Sequence, residues 1–167
     1  EDATTQVIWS TDSGDEIVPQ RPQDGHFRGN IVQAIKSYAE GKFGDVLGPL
    51  HKVTRIIAIG SDRMMAAVKD ARHTVLAPYL RHHIGIGSIN SPMQCMMKEI
   101  CAQCLQRHVD PVSGKESFVF SCYFQDQELD EVDWKNLNDR LRQNTIVEKL
   151  SNRYLDHLLK KTDLVIR

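Results

Sequence analysis

The chain has 167 residues, of which 41% are hydrophobic and 26% charged, and its formal net charge at pH 7 is -1. This composition is typical of a globular protein with an apolar core, and the near-neutral charge excludes nucleic acid as an expected partner. Because no apolar run reaches the roughly 18–20 residues of a membrane span and the first residues (EDATTQ) do not resemble a signal peptide, we expect a cytoplasmic protein without membrane contact.

The first 90 residues alternate between patterns typical of strands and of helices. The near-continuous apolar run at 53–60 (VTRIIAIG) indicates a strand covered on both faces in a parallel sheet. Apolar residues recur at helical spacing between 29 and 40, and Gly41 is a natural terminator for that helix. This order predicts an α/β fold with a parallel sheet. The predicted elements are strands at 6–11, 53–60 and 82–90, a helix at about 29–40 and a second helix that begins near Asp62.

After residue 90 the sequence changes character. The cysteines are followed by a turn-like segment at 110–115 (DPVSGK) and a short predicted strand at 117–122 (SFVFSC). Asp133 is a candidate N-cap for a long final helix, whose apolar stripe predicts packing onto the preceding domain. We therefore divide the chain into a nucleotide-binding α/β part at 1–90, a cysteine-rich segment at 91–130 and a C-terminal helical extension at 131–167.

The four cysteines have the spacing C-x5-C-x2-C-x17-C, formed by Cys95, Cys101, Cys104 and Cys122. In a reducing compartment such a cluster is more often a metal or redox site than a pair of disulfides. Three ligands in one loop and a remote fourth are typical of plant-type [2Fe–2S] sites. A structural zinc site usually has two close pairs of ligands, and His108 is the one imidazole near these cysteines in sequence. The spacing favours a [2Fe–2S] cluster, with zinc and metal-free thiols as alternatives.

Several stretches, in this order, resemble a known group of electron-transfer proteins. They are STDSG (10–14), DGHFRGNIV (24–32), IIAIGSDRMMAAV (56–68), SINSPMQC (88–95), CAQC (101–104) and FVFSC (118–122). Together they resemble the C-terminal part of ferredoxin–NADP reductase-like subunits, such as those of dihydroorotate dehydrogenase and of NADH-dependent ferredoxin:NADP oxidoreductase (sulfide dehydrogenase). Some members of this group are fused to a glutamate-synthase-like flavoprotein, and the long C-terminal helix is consistent with that branch.

The resemblance implies a partial Rossmann-like NAD(P)-binding domain, a [2Fe–2S] cluster and a C-terminal helix. NAD(P)H would deliver electrons to FAD in the intact protein, and the cluster would pass them to a redox partner protein. The four cysteines would hold the cluster. Among the residues implied to bind nucleotide, Thr11 and Asp12 would face the ribose, and Gly60, Ser61 and Met64 would flank the nicotinamide.

The sequence contains neither the Gly-rich turn with which such nucleotide-binding domains open nor a flavin motif of the R-x-Y-S type. We therefore expect a fragment of an NAD(P)H-dependent FAD/[2Fe–2S] oxidoreductase, whose flavin-binding domain lies upstream or in a partner chain. Alone it should not turn over. The competing hypotheses are a zinc-stabilised structural or interaction domain without redox activity, and a degenerate regulatory domain that binds neither nucleotide nor metal.

Overall fold

The computed structural model describes residues 4–44, 47–89 and 104–161, and only the backbone of residues 143–145 and 147. The described chain is a mixed α/β structure of small sheets and helices, in which two short 3-10 helices at Leu50–Lys52 and Ala77–Tyr79 join larger elements. The strands and α-helices are β1 (Ile8–Thr11), β2 (Gly25–Arg28), α1 (Ile31–Ala39), β3 (Arg55–Ile59), α2 (Asp62–His73), β4 (Ile84–Ser88), β5 (Leu105–Val109), β6 (Glu116–Phe120), β7 (Asp126–Glu128) and α3 (Trp134–Lys161).

The described strands of the first 90 residues form parallel pairs. β1 pairs with β2 and β3 pairs with β4, both in parallel. The two pairs belong to different sheets. In the sheet of β3 and β4, the other neighbour of β4 is β7, in antiparallel orientation. The expectation of one parallel sheet is therefore wrong within the described residues. The sequence does not predict β2 and β7, because GHFR and DQE are short and carry no alternating apolar pattern.

Short polar side chains begin α1, α2 and α3. Asn30 and Gln33 form a capping box on α1, and the Ser61 hydroxyl accepts a hydrogen bond from the third residue of α2. The predicted cap of the final helix is confirmed, since Asp133 Oδ1 accepts the Asn136 amide at 2.9 Å. The helix boundaries were predictable because these local signals need no tertiary partner.

The buried core lies where α2, the β3–β4 pair and the start of α3 meet. Alternate residues of β3 contribute Ile56 and Ala58 to it, and Trp134 and Leu141 pack on it from α3. Its buried members are Ala58, Met65, Val68, Ile89, Leu129, Val132 and Leu137. Apolar burial of this kind contributes most of the favourable free energy of folding.

The sequence predicts that β3 is covered on both faces, but the face that points away from the core is exposed. Ile57 and Ile59 are 58% and 68% exposed. α2 packs against β3 over the face that carries Ala58, and none of the elements in the described ranges covers the other face. The apolar run at 53–60 thus predicted the strand β3 correctly, but it did not predict that only one face of the strand is covered by the described elements. None of the described helices has the length and apolarity that crossing a membrane requires.

Candidate functional site

The hairpin of β5 and β6 brings Cys104 and Cys122 to the same end. Its antiparallel register pairs Leu105 with Phe120, and one further step of the register places Cys104 opposite Ser121. The Ser121 amide donates a hydrogen bond to the Cys104 carbonyl at 3.0 Å. Because Cys122 directly follows Ser121, the two cysteines lie on adjacent backbone segments although 17 residues separate them in sequence.

The turn at the other end of the hairpin sets this register. Asp110 Oδ1 accepts the amides of Val112 and Ser113 at 2.8 and 2.6 Å, an Asx-type turn that satisfies both donors locally. The Ser113 amide, followed by that of Val112, holds the pKa of the Asp110 carboxyl below its usual value. Gly114 has a φ of 69°, which a residue with a side chain rarely adopts. The predicted turn is present, and the register that follows from it is what places Cys104 opposite Ser121.

The end of the hairpin that carries the cysteines is buried. Cys104 and Cys122 are both buried, and Ser121 has no exposed surface. Ser121 Oγ has no hydrogen-bond partner in the described part of the chain, and an unpaired buried hydroxyl costs roughly 1–3 kcal/mol. Thiolates are the preferred ligands of zinc and iron–sulfur clusters, and a neighbouring hydroxyl can donate to their sulfur atoms. These residues therefore fit a sulfur-ligated metal or cluster.

His108, on the same buried face of the hairpin, has a polar partner at each ring nitrogen. Its Nε2 lies 2.6 Å from Gln127 Oε1, and Gln127 uses its amide nitrogen to donate to the Phe124 carbonyl. His108 Nδ1 lies 3.2 Å from a carboxylate oxygen of Glu131. Both partner atoms are acceptors, so either ring nitrogen of His108 can donate to its partner. A zinc site that includes His108 would have to replace one of these two contacts.

Arg107 connects the hairpin to the start of α3. Its guanidinium donates to Glu116 on β6, at 2.5 Å, and to Asp133, the N-cap of α3. The carboxylate of Glu116, with that of Asp133, raises the pKa of Arg107 above its ordinary value. Because β6 and α3 share this cation, the orientation of the cysteine end is tied to the helix that packs on the core.

The structure places two of the four predicted cluster ligands. Cys95 and Cys101 lie outside the described residues. Within 4–44, 47–89 and 104–161, no group of three or more His, Cys, Asp or Glu side chains is arranged to hold a metal. The described half of the predicted site is thus Cys104 and Cys122.

Three of the residues implied to bind nucleotide meet at the carboxyl end of β3. Gly60 follows the strand with a φ of 156°, and a Cβ at Gly60 would collide with the methyl group of Met64. The Ser61 hydroxyl accepts the Met64 amide at 3.2 Å and so caps α2. The strand end, the glycine and the helix N-terminus form the strand–turn–helix arrangement in which nucleotide-binding proteins hold phosphates.

The other two implied residues lie at the end of β1. Thr11 is the last residue of this strand, and its hydroxyl is 2.8 Å from His26 Nε2 on β2. Asp12, the next residue, lines a cleft of about 960 Å³ between β1, the start of α1 and α2.

The cleft brings together Asp12 and Met64, which are 52 positions apart in sequence. Its walls also include Trp9, Asn30 and Arg63. Its volume is in the range of pockets that bind cofactor-sized ligands, and it combines apolar walls with a few polar groups. Thr11, Gly60 and Ser61 are not among the residues that line it.

Sequence reasoning missed β5 and therefore Ser121. LQRHV shows no strict alternation of apolar and polar residues, because Gln106 and His108 occupy buried positions of the strand. The usable signal was the turn at 110–115. In a hairpin centred on this turn, residues at equal distances before and after the turn are paired, and Cys104 is then opposite Ser121.

Comparison with known proteins gives one informative match. The uncharacterized protein RP006 of Rickettsia prowazekii (strain Madrid E) is 49% identical to this chain over 65 residues. These residues are 39% of this chain and 9% of that protein. The chain thus matches less than a tenth of the length of this relative, whose name states no activity. No protein-family model matches the chain.

Proposed function

We propose that this chain is the electron-transfer module of an NAD(P)H-dependent flavin and iron–sulfur oxidoreductase, with a partial Rossmann-like nucleotide-binding part. The observation that carries the proposal is the buried end of the β5–β6 hairpin, where Cys104 and Cys122 lie near the Ser121 hydroxyl, which has no partner among the described residues. Buried thiols on adjacent segments suit a sulfur-ligated site, and the cysteine spacing favours [2Fe–2S] over zinc.

The residues of the hairpin would hold and shield the cluster. Cys104 and Cys122 would supply two thiolates, and Cys95 and Cys101 the other two. Burial of the described pair excludes water, which protects a thiolate-bound metal and sets its potential. The cluster, when bound, accepts and releases single electrons. Arg107 would keep this end fixed relative to α3 through its two carboxylate partners.

The cleft between β1 and α2 is the proposed nucleotide site. Asp12 would accept hydrogen bonds from ribose hydroxyls, and Met64 would pack against the nicotinamide ring. The positive charge of Arg63 on the same cleft is suited to a phosphate group. A flavin-binding domain, upstream or in a partner chain, would take the hydride, and a redox partner protein would take the electrons from the cluster.

Metal content tests the cluster. We expect anaerobically purified protein to be coloured and to contain about two iron and two sulfide per chain. Cys104→Ala and Cys122→Ala should each lose the colour and most of the iron. Val68→Ala, which removes a buried group from α2 instead, should keep both and so controls for destabilisation. A colourless wild-type protein with one zinc per chain would establish the zinc-stabilised domain in place of the cluster.

Tryptophan fluorescence tests the cleft. The chain has two tryptophans, and Trp9 lines the cleft while Trp134 packs on the core. NADPH or NADH bound in the cleft should quench Trp9 by energy transfer, and Trp9→Phe should remove most of the quenching. Bound nucleotide should also raise the thermal stability of the protein. Equal quenching in Trp9→Phe would place the nucleotide elsewhere.

A further inference from the structure

Ser121 carries a hydroxyl that is completely buried. Its side chain has no exposed surface, and no hydrogen-bond partner for Oγ exists within the ranges that the structure describes. The Ser121 amide, in contrast, is satisfied by the Cys104 carbonyl at 3.0 Å. Buried polar atoms are satisfied in the great majority of cases, so this hydroxyl calls for a partner beyond the residues that the structure describes.

The register of the hairpin places Ser121 on the face that carries Cys104. Opposed residues of an antiparallel ladder project to the same side, with Cβ atoms about 4.5–5.5 Å apart. Gln106 and His108 follow on this face and are buried as well. The next residue along the chain, Cys122, is also buried. A sulfur atom bound at Cys104 is therefore within reach of the Ser121 hydroxyl.

We infer that the Ser121 hydroxyl donates a hydrogen bond to a sulfur atom of the metal site and thereby raises its reduction potential. The inference rests on the proposed function, since it requires the site to hold a [2Fe–2S] cluster. One-electron reduction adds a negative charge that spreads over the sulfur atoms. A donor aimed at sulfur stabilises this charge more than the oxidised state, and hydrogen bonds to sulfur are a known determinant of cluster potential.

In the metal-free protein the same hydroxyl should lower the stability of the fold. Without a sulfur acceptor Ser121 Oγ is a buried group with no hydrogen bond, which destabilises the fold. Removing it should therefore stabilise the metal-free chain, whereas in the loaded protein it should lower the reduction potential. A residue that only fills space would not show both effects.

The test compares Ser121→Ala with Ser117→Ala. Ser117 is the same residue type on the same hairpin but is exposed on β6. In anaerobic redox titrations followed by visible absorption and electron paramagnetic resonance, Ser121→Ala should bind iron normally and have a more negative midpoint potential than the wild type. Ser117→Ala should leave the potential unchanged. After removal of the metal under reducing conditions, Ser121→Ala should unfold at a temperature roughly 2–4 °C higher than the wild type.

Two results would overturn the inference and leave the electron-transfer function standing. One is a loaded Ser121→Ala protein whose potential equals that of the wild type. The other is a metal-free Ser121→Ala protein that is less stable than the metal-free wild type. A wild-type protein that holds no iron would instead reject the proposed function, and the inference with it.

Discussion

The two halves of α3 have similar apolar stripes but different surroundings. Near its start, Leu137 is 5% exposed and belongs to the core, while Leu150, four turns later, is 62% exposed. The exposed half also presents other large apolar residues, namely Ile146, Tyr154, Leu155 and Leu158. The periodicity therefore predicts which face of a helix is apolar, but whether that face is covered depends on the rest of the fold.

The largest expected difference between the halves is the effect of shortening a leucine. Leu137→Ala should lower the free energy of unfolding by about 2–5 kcal/mol, because it leaves a cavity in the core. Leu150→Ala should change it by less than about 0.5 kcal/mol, because this side chain is exposed in the folded chain. Denaturant unfolding of both variants measures the contrast. Equal losses would show that the second half is packed as firmly as the first.

Replacing Trp134, in the first half of α3, by phenylalanine removes its side-chain hydrogen bond but keeps an aromatic ring in the same place. The indole nitrogen of Trp134 donates to the Leu129 carbonyl at 2.9 Å, and Leu129 is fully buried. Trp134→Phe should cost roughly 1–3 kcal/mol, because the carbonyl is left without this donor. Trp9→Phe, the same change at a half-exposed site, is the matched control for denaturant unfolding. A cost no greater than that of the control would mean that the bond contributes nothing.

Local signals made much of the fold predictable from sequence. The strands at 55–59 and 84–88, the start of α2 near Asp62, the cap at Asp133 and the turn at 110–115 depend on residues within a few positions of each other. Such features follow from apolar runs and from side chains that bond nearby backbone amides. The parallel pairing of β3 with β4 also follows from the helix between them.

Features that depend on distant residues were not predictable in the same way. β7 is a strand because its three residues pair with β4, and the sequence DQE has no pattern that predicts this pairing. The exposed Ile57 and Ile59 show that an apolar strand does not reveal how many layers cover it. At the candidate site, the cysteine spacing indicated a shared location for Cys104 and Cys122, whereas the Ser121 hydroxyl, which has no partner among the described residues, was revealed only by the structure.

The helix N-cap offers a smaller test, with a pH dependence. The Asn136 amide, and with it the Arg107 guanidinium, holds the pKa of the Asp133 carboxyl below 3.8 despite partial burial. Asp133→Ala should cost about 0.5–2 kcal/mol near neutral pH, and Asp133→Asn should cost less because its oxygen still accepts the amide. Asp139→Ala, an exposed site on the same helix, is the control. Denaturant unfolding at pH 7 measures the three variants.

A lowered pKa in the folded state gives a definite sign to the pH dependence. The stability from ionised Asp133 is fully present above its unfolded pKa of about 3.9 and is lost as the pH falls through the lower folded value. The stability difference between the wild type and Asp133→Asn should therefore shrink below about pH 4. A difference that stays constant from pH 7 to pH 3 would contradict the assigned contacts.

The smallest expected effect comes from making the second half polar. Replacing Leu150 and Tyr154 together by Gln should change the free energy of unfolding by no more than about 0.5 kcal/mol, because exposed side chains have similar surroundings in folded and unfolded chains. Leu141→Gln, at a partly buried site of the first half, should cost clearly more. A large loss in the double variant that grows with protein concentration would show that a second copy covers the stripe. A large loss independent of concentration would show that another part of the same chain does, so unfolding at two protein concentrations distinguishes the cases.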